Sequence, residues 1–330
     1  MPKHRLPPKY WRILIYSHLP NSFFLNLYAM KKAFFQLHIA VFLAGFTGIL
    51  GLLITLNEGL IVWYRMLITS LTMWVLFAFL KKLQPVSRND RLKIMGVGII
   101  AAMHWVTFYG AIKYANVSVA LVCFSAISFF TALFEPLILK KRLNRTELIL
   151  GLVTLSGIYI IFHFDTQFKT GIIIGLVSAV LAALFPIYNR EFLKRINVET
   201  MLSWQQTGGF LTLTILLPFY IRLFPPDHFI PTWSDLGWLL VLAWFCSVLA
   251  FQLSGNALKR LSAFTVNLTY NLEPVYGILL AFVVYKENKY LSEWFYWGFG
   301  IIAAALIIHV FLLIREERRL TKADSVKTPQ

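Results

Sequence analysis

Ten stretches of about 20 mostly apolar residues follow one another along the chain, and each is long enough to cross a bilayer as a helix. They fall at 35–56, 59–80, 93–112, 117–139, 146–163, 171–189, 201–222, 236–256, 262–285 and 291–314. Most connections between them are short. Hydrophobic residues make up 58% of the chain and charged residues 14%, against about 25% charged in a soluble domain. That leaves too little polar surface to cover a soluble particle.

The net charge of +16 would suggest nucleic acid in a soluble protein. Here Lys and Arg cluster between apolar runs, which sets membrane orientation instead. With the amino terminus in the cytoplasm, inside segments carry Lys81, Lys82, Arg88, Arg91 and Lys93; Lys140, Lys141, Arg142 and Arg145; Arg190, Lys194 and Arg195; and Lys259 and Arg260. Outside segments hold only Lys113, Lys169, Arg222, Lys286 and Lys289, with Arg65 inside a span. An even number of spans returns both termini to the cytoplasm. Cys123 and Cys246 lie in apolar runs as packing residues, too few for a disulfide framework or thiolate metal site.

Residues 1–29 are expected to be a spurious start or a disordered arm, because His18, Pro20, Asn21 and Asn26 break their apolar stretch. Met30-Lys31-Lys32 before an apolar run resembles a natural start. Residues 316–330 form a charged cytoplasmic tail.

The chain repeats itself. Ala111-Ile112-Lys113-Tyr114 resembles Ala257-Leu258-Lys259-Arg260, 146 residues later; at that offset Leu133 matches Leu279, Lys140 matches Lys286, and Glu147 matches Glu293. Val62-Trp63-Tyr64-Arg65 resembles Ser203-Trp204-Gln205-Gln206 at an offset of 141. One order and nearly one offset give two halves of five spans, 30–163 and 164–315. An odd number per half inverts the second copy in the membrane. The expected fold is therefore an all-α integral membrane protein of ten transmembrane helices in two inverted five-helix repeats, the architecture of many secondary transporters.

Three further signatures carry a family resemblance: Trp63-Tyr64-Arg65 early in the second span, Ala111-Ile112-Lys113-Tyr114 ending the third, and Asn271-Leu272-Glu273-Pro274-Val275 followed by Tyr285-Lys286-Glu287. With the repeat, they make the chain resemble the drug/metabolite transporter superfamily, specifically its EamA-domain members, over roughly Met30 to Arg315. The resemblance implies an inner-membrane exporter or exchanger of amino acids, nucleotide sugars or other metabolites, working without ATP-binding machinery or a cofactor. No Gly-x-x-x-x-Gly-Lys-Ser/Thr loop occurs. The Glu273-Pro274 pair is not duplicated: the first half has Ile127-Ser128 there, and Glu135-Pro136 comes eight residues later.

Ionisable groups in spans cost roughly 2.5–3.5 kcal/mol each, so they need a reason. Arg65 could hold a carboxylate bidentately, or snorkel to outer headgroups. Glu273 shares a helix face with Thr265 and Thr269, beside a second polar strip of Asn267 and Asn271. That cluster could meet a substrate amine or a proton, or simply hold the bundle together. His104, mid-span beside Trp105, could couple protons or pack. Gln205 and Gln206 replace the Tyr64-Arg65 pair and could bind polar substrate. Glu135, close to Lys140-Lys141-Arg142, is expected in an interfacial salt bridge, with a proton-coupling role as the minority alternative. His38, His163 and His309 are expected to be structural, and none shows ligand spacing for a metal. Gly45, Gly48 and Gly51, and Ala179, Ala182 and Ala183, are expected as close-packing stripes.

The expected partners are a small-molecule substrate, the bilayer and, as an option, a second copy of the chain; nucleic acid is not among them. Amino-acid export, with or without coupled protons, competes with exchange of nucleotide sugars or phosphorylated metabolites. A membrane-embedded enzyme would need catalytic groups at one depth, and the inverted repeat favours a carrier over a channel or sensor.

Overall fold

A computed structural model describes residues 21–140, 142–261, 266, 269–270 and 272–327. Among them helix follows helix, with no strand. The first half comprises α1 (Asn21–Leu53), α2 (Glu58–Phe79), α3 (Arg88–Tyr114), α4 (Val117–Phe124), α5 (Ile127–Leu139) and α6 (Arg145–Phe164). The second comprises α7 (Lys169–Phe192), α8 (Val198–Leu223), α9 (Trp233–Ala243), a π-helical turn at Trp244–Leu249, α10 (Ala250–Leu258), α11 (Glu273–Val284) and α12 (Glu293–Lys327).

Among the described residues, eight segments are long and apolar enough to span a bilayer. The two remaining expected spans have physical reasons to differ. Helix α8 falls short in apolarity because Glu199, Thr200, Ser203, Gln205 and Gln206 occupy its first half. All five are buried, so they face protein rather than lipid. Of 262–285, α11 is a shorter apolar helix, and Thr265, Asn267 and Asn271 lie outside the described residues. Helix α1 starts at Asn21 and runs unbroken through Met30, while α12 runs through Arg315 to Lys327. Neither 21–30 nor 315–327 contains a proline or glycine to stop a helix.

The repeat is visible as geometry. The fourth span breaks at Ser125–Ala126 and resumes as α5 at Ile127; α11 starts at Glu273, 146 residues later. Pro274 sits in the first turn of α11, where its missing N–H costs nothing. Both helices end before a left-handed lysine, Lys140 (φ 53°) and Lys286 (φ 56°), again 146 apart. Asn57 caps α2 and Asn197 caps α8, each accepting an N–H three residues on at 3.0 Å.

Small residues let these helices approach. A side chain on Gly98 would strike the Gln205 carbonyl, and one on Gly208 would strike Met95, so α3 and α8 cross backbone to backbone. Gly45 lies against the Glu273 carbonyl and Gly277, Gly48 against Val117, and Gly51 against the Tyr109 ring. Ala179, Ala182 and Ala183 are buried on α7. Gly157 and Gly298 meet where α6 crosses α12. Large apolar side chains such as Val75, Phe79, Ile215, Phe219, Val283 and Phe311 point outward, as a lipid-facing surface requires.

Candidate functional site

A cavity of about 310 Å³ lies inside the bundle. Its inner wall is formed by Thr47, Arg65, His104, Gln205, Gln206 and Glu273, and Glu135, Glu147, Arg190, Leu193, Val198 and His309 line it further along. The second group belongs to the end of the bundle that carries Lys140 and Arg195. The cavity therefore runs from the middle of the protein to that cation-rich end.

Arg65 comes from α2 and is 2% exposed. Its Nε donates to Ser247 Oγ at 2.8 Å, and its Nη1 donates to the Tyr109 hydroxyl at 3.2 Å. The guanidinium carbon sits 4.2 Å from the centre of the Trp105 ring, which itself stacks on Phe251. Ser247 belongs to the π-helical turn and donates its own proton to the Leu242 carbonyl, five residues back. Its lone pairs are thus left for Arg65. The guanidinium is aimed by neutral groups, and among the described residues no carboxylate pairs with it. The burial settles the choice left open by the sequence: this arginine does not snorkel.

Glu273 is the first residue of α11 and is 7% exposed. It too forms no ion pair among the described residues. It stands at a helix start rather than mid-helix, with Leu272 as the N-cap of α11. The expected partner strip at Asn267 and Asn271 lies outside the described residues.

His104 is buried on α3. Its Nδ1 is 3.1 Å from the Ser178 carbonyl and 2.9 Å from Ser178 Oγ, and that hydroxyl donates to the His104 carbonyl. A carbonyl can only accept, so Nδ1 carries the proton and Nε2 is left as an acceptor. Phe108, Phe124 and Phe185 surround the ring.

Gln205 and Gln206 are buried, and neither side-chain oxygen has a hydrogen-bond partner among the described residues. A buried unmet acceptor costs about 1–3 kcal/mol, which a donor from a ligand or water would recover. Glu135 is separate from this group. It pairs with Arg190 at 3.1 Å across the two halves, so the expected ion pair forms with a cation from α7. His309, expected to be structural, lines the cavity along with Glu135. Trp105, Tyr109, Ser178 and Ser247 carry no charge and sit in apolar runs; only the fold reveals that they hold Arg65 and His104. No three His, Cys, Asp or Glu side chains among the described residues gather as metal ligands.

The model of the EamA-like transporter family matches residues 31–163 and again 169–309. The chain belongs to that family. Three relatives, each known as an uncharacterized transporter, are similar to it. One from Haemophilus influenzae is 23% identical over 70% of this chain and 76% of its own length. One from Bacillus subtilis is 24% identical over 72% and 77%, and one from Clostridium kluyveri is 25% identical over 63% and 68%. A solved crystal structure shares the fold, with a TM-score of 0.61 at 16% identity, covering 88% of this chain and 98% of the other. This family member is a membrane transporter, not an enzyme.

Proposed function

We propose that the protein exports a small metabolite bearing a carboxylate and an N–H donor, such as an amino acid, by alternating access between the halves 30–163 and 164–315. One observation carries this: Arg65 and Glu273 are both more than nine-tenths buried, line one cavity, and form no ion pair among the described residues. Opposite charges left apart in a cavity match a ligand carrying both signs. Arg65 takes the carboxylate through its unused N–H groups. Glu273 and the open oxygens of Gln205 and Gln206 take the donors. Aromatic walls at Trp105, Phe108 and Phe251 suit an apolar substituent. A phosphorylated substrate fits less well, since Glu273 would repel its charge.

Coupling to protons falls to Glu273 and to the free Nε2 of His104, with Glu135 as a relay toward the cation-rich end. The proposed direction is export, in keeping with a cavity that reaches the cation-rich end; the positive charge there supports reading that end as the cytoplasmic face of a bacterial inner membrane, with both termini inside. Proteoliposome flux tests the reading. Saturable flux of an amino acid, lost in Arg65→Ala and uncoupled from a pH gradient in Glu273→Gln, is the expected result. Absence of flux for every amino acid and related metabolite, with and without the gradient, would refute it.

A further inference from the structure

An inverted repeat provides a way to sort contacts between the halves. If the two states of a carrier are exchanged copies of each other, a contact found at both ends of the bundle persists through the exchange. A contact that can exist at one end only must form in one state and break in the other.

Several contacts occur in matched copies. Asn57 Nδ2 donates to the Phe224 carbonyl at 3.2 Å at the Lys286 end, and Asn197 Nδ2 donates to the Lys82 carbonyl at 2.6 Å at the Arg190 end. Asp235 accepts from the Thr55 N–H at 2.7 Å at the first end, and Asp90, 145 residues earlier, accepts from Arg195 at 2.7 Å at the second. Even the helix caps agree: Thr232 Oγ1 accepts from Asp235 N, and Ser87 Oγ accepts from Asp90 N, both at 3.1 Å.

Glu287 is different. It is buried, and its two carboxylate oxygens accept the N–H groups of Val117 and Ser118 at 3.0 and 2.8 Å. These are the first residues of α4, so a carboxylate from the second half caps a helix of the first. The seven residues Val117–Cys123 are buried, and α4 reaches Phe124 on the cavity wall. It therefore stands between the cavity and the Lys286 end. At the repeat offset of 146 the position matching Glu287 is Lys141. A lysine has no acceptor and cannot receive backbone N–H groups.

We infer that Glu287 is a one-sided latch: it fastens α4 while the cavity faces the Arg190 end, must release for the cavity to face the other way, and has no copy to fasten the opposite state. The inference rests on the carrier reading above but not on the substrate.

The protein has a built-in reporter. Cys246 lines the cavity, while Cys123 is buried against Gly175. In the full-length Cys123→Ser protein, a membrane-impermeant maleimide applied to right-side-out or inside-out vesicles reads which end is open, and Cys246→Ser gives the background. Labelling is expected from the Arg190 end alone. Glu287→Gln should raise the rate from the Lys286 end about tenfold, the scale of a lost charged hydrogen bond. Lys141→Glu, which supplies the missing copy, should lower the rate from the Arg190 end and serves if Glu287→Gln does not fold. Asp235→Asn, altering a matched contact, should leave the sidedness unchanged. Unchanged sidedness in both Glu287→Gln and Lys141→Glu would overturn the inference, as would equal opening by Asp235→Asn. Saturable flux by a protein whose sidedness ignores Glu287 would reject the latch and leave the carrier standing; absent flux rejects the substrate reading alone.

Discussion

The two ends of the bundle are fastened by the same kinds of chain segment under different conditions of solvent. At the Lys286 end, Asp235 is fully buried and accepts from the backbone and side chain of both Thr55 and Thr232, and Glu287 is nearly as buried. At the Arg190 end the corresponding work falls to ion pairs with exposed cations, Arg195 with Asp90 and Lys82 with Glu199. Charge-assisted hydrogen bonds sheltered from water are strong, whereas exposed ion pairs contribute about 0–1 kcal/mol. The closed end is thus the better-held one, and the open end is edged by contacts that water can replace.

Asp235→Ala is the harshest test of that contrast. It strands two backbone N–H groups and two hydroxyls, and should cost about 3 kcal/mol of stability, read as a fall in melting temperature in detergent. The caps come next: Asn57→Ala and Asn197→Ala should each cost about 1 kcal/mol, nearly equally, because both hold matched helix starts. A large difference between them would show that the two ends differ in more than burial. The smallest effect belongs to Asp90→Ala, under about 1 kcal/mol and fading in 1 M salt as the exposed guanidinium is screened. Should it match Asp235→Ala in size, the distinction between a held end and a loose one fails.

Lipid demands made most of the fold legible. A span in hydrocarbon must be apolar and helical, so the ten runs announce themselves, and Arg65, His104 and Glu273 stand out against them as ionisable side chains. Helix α8 shows the limit: its buried polar residues lower its apolarity because Gln205 and Gln206 face the cavity while Glu199 and Thr200 bond to neighbouring segments, so it resembles a lipid-exposed span less. The break at Ser125–Ala126 has no proline or glycine to mark it. Only Glu273-Pro274, 146 residues after the Ile127-Ser128 where the helix resumes, hints at it. Tyr109 and Ser247 were illegible for another reason. They are neutral, and Ser247 is 182 residues from the arginine it holds, a distance no local pattern reports. Which helix faces which is a property of packing, set by small residues such as Gly98 and Gly208 rather than by hydrophobic period.

That separation bears on how the protein is made. A chain grows from its amino terminus, so Arg65 enters the bilayer with Tyr109 still to follow closely and Ser247 not yet synthesised. During that interval an arginine that costs roughly 2.5–3.5 kcal/mol to insert lacks one of its two hydrogen-bond partners. The second span therefore waits on the eighth to complete its surroundings. A ribosome that stalls between them leaves an unfinished bundle with an under-satisfied cation in its middle, a mark by which a membrane protease could tell an abandoned chain from a finished one.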